Sequence, residues 1–399
     1  MKKKYALVLS GGGFKGAFQM GALNYLKDNW DTINPGQPMK FDIIAGVSVG
    51  ALNGAMMAME DQEALNQLWK DVAKNGVEEI YTSDFIDTQS SSEELKFKLN
   101  LKNLKEKFIP NFKIKINLWK GLGLMLSKRK RTRFLEDLVK ETEQEFTSNF
   151  KHFKAIADNT PLRQKLTNLL DKDKVKCQFL SGFVSLNNGA YHAVKTEDYT
   201  TNEDFINGVL ASSAMPVIWK PIDKISFANQ EVENLVDGGI KNISPLGDVI
   251  KAIKKDPESD YTVIIINCSS GKDSFADHQN SNIGKIALRS LNDIALTEIF
   301  NNDIDMFMKI NQIVEQVERK TPAMRISSSD DANDLGLKSF KSIIIQPDAG
   351  ALGDTLVATE QIINRRILHG GKKTAEALQL FKLHQEEVLP TVNLNPVLV

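Results

Sequence analysis

The first sixty residues contain one arrangement twice, and this restricts the fold more than any other stretch of the chain. Tyr5 to Leu9 is a short β-branched and aromatic run closed by Ser10-Gly11-Gly12-Gly13, and from Phe14 onward Ala17, Phe18, Ala22, Tyr25 and Leu26 recur at helical spacing. Phe41 to Ala45 is a second strand-like run, broken by Gly46-Val47-Ser48-Val49-Gly50 and continued by the small-residue helical stretch ALNGAMMAM. Two consecutive strand-turn-helix units predict an α/β fold with a parallel sheet covered by helices. Both turns then fall at one carboxyl edge of the sheet, where ligands bind in open α/β folds.

The rest of the chain extends this frame. From about Ser83 to Lys174 the sequence turns to Lys, Glu, Leu and Phe with few strand signals, which reads as a helical insertion over one side of the core. Lys176 to Leu186 and Ala190 to Val194 read as strands joined through Asn187-Asn188-Gly189, a hairpin. Glu203 to Met215 reads as a helix stopped by Pro216, and Glu233 to Val236 as a strand leading into Asp237-Gly238-Gly239. Tyr261 to Asn267 and Ser342 to Ile345 are further core strands, bracketing a helical stretch from about Ile283 to Glu318. From Gly353 to Val388 the pattern is mostly helical.

Composition removes several function classes. With 42% apolar and 25% charged residues the 399-residue chain has the means for a packed core, as one elaborated domain or two. A formal net charge of −1 argues against nucleic acid as a dominant partner. Cys177 and Cys268 each sit in an apolar stretch and read as buried thiols, not as a disulfide or metal framework. The start, MKKKYALVLSGGG, is basic and then apolar like a secretory signal, but its apolar run ends at Leu9 and meets three glycines, so it reads as a strand. No stretch approaches the roughly 18 to 20 apolar residues of a membrane-spanning helix, which predicts a cytoplasmic protein whose contact with a bilayer is at most peripheral.

Three short segments carry chemistry. Acyl transfer by a serine needs the hydroxyl held away from its own backbone, beside a base and beside N–H donors aimed at the oxyanion. Gly46-x-Ser48-x-Gly50 between a strand and a helix is the setting of a nucleophile elbow, although an isolated match is more often a glycine-bordered turn with a helix-capping serine. Gly11-Gly12-Gly13-Phe14-Lys15-Gly16 offers unobstructed backbone N–H groups at a helix N-terminus, suited to an anion; its spacing alone leaves dinucleotide or phosphate binding open. Asp237-Gly238-Gly239, with Asn242 and Pro245 behind it, is a turn that can project a carboxylate into the same edge, or a plain Asp-Gly turn.

Together the three segments resemble the patatin-like phospholipase family. The resemblance rests on SGGGFKGAFQMGAL, GVSVGALNG and DGGIKNISP, with support from Asn159-Thr160-Pro161-Leu162-Arg163, FVSLNNGAYHAV and ASSAMPVIWKP. It covers residues 5 to about 60 and 155 to 270; the stretch from roughly 83 to 150 and the last 120 residues lie outside it, and Lys15 stands where the family usually has arginine. What the resemblance implies is a three-layer α/β/α core bearing a Ser48–Asp237 dyad. Ser48 attacks an ester carbonyl, Asp237 accepts its proton, and the N–H groups of Gly12, Gly13 and Val49 hold the oxyanion, without metal or cofactor. Outside the resemblance, the pattern along the chain is read as a catalytic domain over 1–275, with the helical insertion at about 83–174 as a lid over an acyl pocket, and a mainly helical 276–399 with a further core strand near 342–345 packed on the same domain.

Two rivals stay in view. An α/β-hydrolase with a Ser-Asp-His triad also uses G-x-S-x-G, and five histidines are present: His152, His192, His278, His369 and His384. The other is a lipid- or acyl-binding protein that kept the fold without turnover. Within the insertion, Ile114, Leu118, Leu122 and Met125 share a helical face with Trp119 and Leu126 beside them. Lys128-Arg129-Lys130-Arg131 and Arg133 follow, a pattern suited to an anionic membrane surface, though such stripes are more often core and such charge runs a solvated face.

Overall fold

In the computed structural model, which describes residues 2–88, 154–270, 289–320 and 339–387 with positions 96, 148 and 286, the apolar runs assemble into one eight-stranded sheet. Its strands are β1 (Lys2–Leu9), β2 (Ile43–Val47), β3 (Gln178–Ser185), β4 (Tyr191–Lys195), β5 (Ile222–Phe227), β6 (Gln230–Asp237), β7 (Ser259–Ile266) and β8 (Lys341–Ile345). The helices that bear on the argument are α1 (Gly16–Asp28), α2 (Val49–Ala58), α3 (Gln62–Asn75), α4 (Thr160–Leu169), α5 (Asn202–Ser212), α6 (Leu246–Ile253), α7 (Leu296–Lys320) and α8 (Glu360–Glu387).

The sheet order is β5-β6-β3-β2-β1-β7-β8, with β4 also on β3. Strands β3, β2, β1, β7 and β8 run parallel, as the repeated strand-turn-helix pattern predicts. The core divides by strand alternation: Tyr5, Leu7 and Leu9 of β1 join one apolar cluster, Ala6 and Val8 the other. The first cluster takes Phe18 and Leu23 of α1, Met56 of α2, Trp69 of α3, Phe205 of α5 and Ile363 of α8; the second takes Val249 of α6 and Phe300 and Phe307 of α7. Helices on both faces make the three-layer α/β/α architecture. Each such large side chain contributes about 1.5–3 kcal/mol when fully buried.

One edge of β3 positions everything that follows. β2 runs parallel to β3 and its pairing ends with Val47 opposite Gly182. β6 runs antiparallel to β3 and its pairing ends with Asp237 opposite Phe183. Because β4 occupies the other edge of β3 through both of those positions, β2 and β6 lie on the same edge and meet end to end.

Three features depart from the sequence reading. β5 and α3 carried no expectation: β5 buries only Ile222, Ile225 and Phe227, with the charged Asp223 and Lys224 exposed between them, and α3 shows its apolar face at Leu65, Leu68, Trp69 and Val72. The predicted helix from Gly353 begins only at Glu360, because Arg366 draws the carbonyls of Leu352, Asp354 and Val357 to itself and holds 352–357 as a loop. The expected helical stretch from about Ile283 to Glu318 is helical where it is described, from residue 289, but opens as a π-helix over Arg289–Ala295 before α7. Most of the expected helical insertion, including Trp119, Lys128, Arg129, Lys130, Arg131 and Arg133, lies outside the described residues.

Candidate active site

The turn after β2 is built by what its residues lack. A β-carbon on Gly46 would stand 2.1 Å from the carbonyl oxygen of Gly50, and one on Gly50 would stand 2.2 Å from that of Leu9. Only glycine lets β2, the turn and β1 approach so closely. Ser48, between them, adopts φ 56°, ψ −130°, a conformation that costs a non-glycine residue about 1–3 kcal/mol and is sustained by its surroundings. Its N–H donates to Ser212 Oγ at 2.9 Å, and Val49 begins α2 directly after it. Ser48 is 6% exposed and lines a cleft.

The glycine loop after β1 comes to the same place. A β-carbon on Gly11 would be 3.1 Å from Ser48 Cβ. Within the loop, Gly11 N–H donates to Ile243 O at 2.9 Å, Phe14 N–H to Thr355 O at 2.9 Å and Lys15 N–H to Gly12 O at 3.0 Å. Among the described residues no backbone carbonyl accepts from the N–H of Gly12 or Gly13. Gly12 at φ 157° and Gly13 at φ 53° hold conformations open mainly to glycine. A buried chain anchors the loop: Trp69 Nε1 donates to Asn53 Oδ1 (3.0 Å), Asn53 Nδ2 to Gln19 Oε1 (2.8 Å), and Gln19 Nε2 to Ser10 O (2.8 Å).

The third corner ends β6. Asp237 is 5% exposed, and its Oδ1 accepts the Gly239 N–H at 2.7 Å, while its own N–H donates to Ala214 O at 2.9 Å. The Ser48 side chain lines the same cleft as the Asp237 carboxyl. Burial pushes the Asp237 pKa up to about 7; the Gly239 N–H bond and the neighbouring Ser48 hydroxyl favour the carboxylate but do not outweigh the loss of water. A carboxyl titrating near neutrality serves as a general base or acid at working pH.

The structure therefore brings together Gly11, Gly12, Gly13, Ser48 and Asp237 in one cleft, with half-buried Lys15 and Thr297 and buried Cys268 and Thr355 on its walls. Ser48 also lines a second, almost wholly apolar cavity with Phe14, Val49, Leu52, Trp69, Leu162, Trp219 and Leu356. Phe14 and Gly16 are buried behind the loop, and Gly238 packs against the Gly182 carbonyl. Ser212 and Ala214 were not foreseen as site residues, yet this one segment at the end of α5 bonds both the Ser48 and the Asp237 backbone. ASSAMP, which contains them, was the available signal. Thr355 gave none.

The family model for patatin-like phospholipases matches residues 7–250, more than half of the chain. This chain belongs to the patatin-like phospholipase family. Members of that family are lipid acyl hydrolases, and the patatin-like region contains all three corners just described. A structural match is VipD from Legionella pneumophila, 14% identical, covering 96% of this chain and 67% of that one at a TM-score of 0.35. No curated protein sequence matches the chain. Among the described residues of this patatin-like protein, no cluster of three or more His, Cys, Asp or Glu is arranged to hold a metal, and no helix is long and apolar enough to cross a membrane.

Of the histidines, His192 packs against Phe183 and Phe227, and His369 Nε2 accepts the Asp348 N–H at 3.1 Å; neither lines the cleft. His152 and His278 lie outside the described residues, as does the side chain of His384.

Proposed function

We propose that this chain is a serine lipid acyl hydrolase that cleaves fatty-acyl esters through a Ser48–Asp237 dyad. The observation that supports the reading is the end-to-end meeting of β2 and β6 on β3, with Ser48 and Asp237 lining one cleft. Ser48 Oγ attacks the ester carbonyl carbon as its proton passes to the Asp237 carboxylate. The carbonyl oxygen becomes an oxyanion held by the N–H groups of Gly12, Gly13 and Val49, the last at the positive end of α2. Collapse expels the alcohol, which takes the proton from Asp237 and leaves acyl-Ser48. Water then attacks the acyl carbon, gives a proton to Asp237, and the returning proton frees Ser48 and the acid.

The two cavities assign the ends of the substrate. Leu52, Trp69, Leu162 and Trp219 suit an acyl chain, and the cleft with Lys15, Ser269 and Thr297 suits a polar leaving group. We read 1–275 as the catalytic domain and 276–399 as part of the same unit, a reading supported by the pairing of β8 with β7. Peripheral membrane contact through Trp119 and Lys128 to Arg131 is tested by liposome sedimentation: neutralising the four basic residues lowers binding if the patch docks.

The function itself is tested with a panel of purified lipids and nitrophenyl esters of graded chain length. Wild type turns over long-chain esters, and Ser48→Ala and Asp237→Asn do not. Turnover that persists in both variants counts against the dyad, and no turnover or fluorophosphonate labelling in wild type favours an acyl-binding protein.

A further inference from the structure

The patatin-like match ends at residue 250, yet one wall of the site comes from about a hundred residues later. Arg366 is 0% exposed. A guanidinium is buried only when its donors are satisfied, and here Nε donates to Leu352 O (2.7 Å), Nη1 to Val357 O (2.9 Å) and Nη2 to Asp354 O (2.6 Å). Three bonds from one rigid fork fold residues 352–357 into a loop around it.

That loop is pressed onto the glycine loop. Thr355 O accepts the Phe14 N–H at 2.9 Å, and both Thr355 O and Thr355 Cγ2 lie 2.7 Å from where a β-carbon on Gly13 would be. α8, which carries Arg366, is fixed to α1, the helix that follows the glycine loop. A β-carbon on Gly21 would stand 2.0 Å from Ile367 O, and one on Gly370 2.1 Å from Phe18 O. The Phe14 N–H is thereby occupied, while Gly12 and Gly13 line the cleft with no backbone acceptor for their N–H groups among the described residues.

We propose that the 352–357 loop, clamped by Arg366, is a working part of the oxyanion site, and that Arg366 is a positioning residue for the Gly12 and Gly13 donors. The inference rests on the Ser48 acyl-transfer reading. It predicts that loss of the clamp slows chemistry more than it weakens binding of a short-chain ester, since of the residues lining the acyl cavity the loop supplies Leu356 alone.

The test compares full-length wild type, Arg366→Ala, Arg366→Lys and Thr355→Gly with Leu378→Ala, a buried α8 change remote from the loop that serves as a matched destabilised control. Turnover of a short-chain nitrophenyl ester and the rate of fluorophosphonate labelling at Ser48 are measured on each folded protein. Arg366→Ala is expected to lose about 10- to 100-fold in kcat with KM within about 3-fold. Millimolar methylguanidinium should restore part of that loss, and Arg366→Lys should fall between. Should Arg366→Ala fail to fold, Thr355→Gly decides, with an expected drop of about 3- to 10-fold in kcat. The proposal is overturned if the Arg366 variants match Leu378→Ala in kcat, if methylguanidinium restores nothing, or if Thr355→Gly keeps full kcat. A wild type that does not label at Ser48 overturns the acyl-transfer reading instead, so the two failures are distinct.

Discussion

The corner after β2 and the corner after β6 lie side by side, but they are held against different forces. Ser48 is strained in its backbone: φ 56° is imposed by two glycines that let three chain segments touch. Asp237 has an ordinary extended backbone, φ −48° and ψ 128°, and the force it resists is electrostatic, a carboxyl taken out of water. A conformational strain is insensitive to pH, whereas an electrostatic one changes with every proton gained or lost. The two corners should therefore be separable by experiment, although they act on one bond.

Removing the nucleophile gives the largest effect. Ser48→Ala should lower kcat/KM by on the order of 10⁴ while leaving stability close to wild type, because alanine inherits the same strained backbone. A variant with more than a tenth of wild-type activity would break the comparison at its first corner.

Asp237→Asn should lower activity by about 10²–10³ and also report the electrostatic burden. The folded pKa of about 7 lies above the unfolded value near ~3.9, so the native state binds the extra proton between them. Wild-type stability then falls as pH rises from about 4 to about 7 and levels off above. Asparagine removes that loss, so at about pH 8 the variant should be more stable than wild type by on the order of 1–4 kcal/mol, a gap that closes below about pH 4. Thermal melts of both proteins across this range check it, and a gap that does not vary with pH would show that the charge is not what Asp237 resists.

Ser212→Ala leaves the Ser48 N–H without its 2.9 Å partner in a buried turn. Activity should fall roughly 10-fold and stability by about 1–3 kcal/mol. Smallest is a selectivity change. Leu162→Phe, narrowing the apolar cavity, should lower the long-chain to short-chain ratio of kcat/KM by about 3- to 10-fold and leave the shortest esters unaffected.

What was legible in the sequence follows from how local each element is. β1 with its glycine loop, and β2 with its elbow, announce themselves because glycine, a short apolar run and helical spacing lie within twenty residues of one another. The hairpin of β3 and β4 is legible for the same reason. That β6 would abut β2 end-on was not, since it depends on β4 excluding β6 from one edge of β3, a competition between strands far apart in the chain. Ser212 and Thr355 look like ordinary small polar residues until tertiary structure sets them against the Ser48 N–H and Gly13. Arg366 reads as an exposed charge on an amphipathic helix, and only the 352–357 loop wrapped around it explains its burial.

The pH dependence of covalent labelling at Ser48 by a fluorophosphonate, followed by mass spectrometry, tests the pairing of the two corners most directly. Wild type should gain labelling rate through a single ionisation near pH 7, while Asp237→Asn labels slowly with no such rise. A variant that keeps the wild-type profile, or a label carried by another serine, would show that the carboxylate at the end of β6 does not activate the hydroxyl at the end of β2.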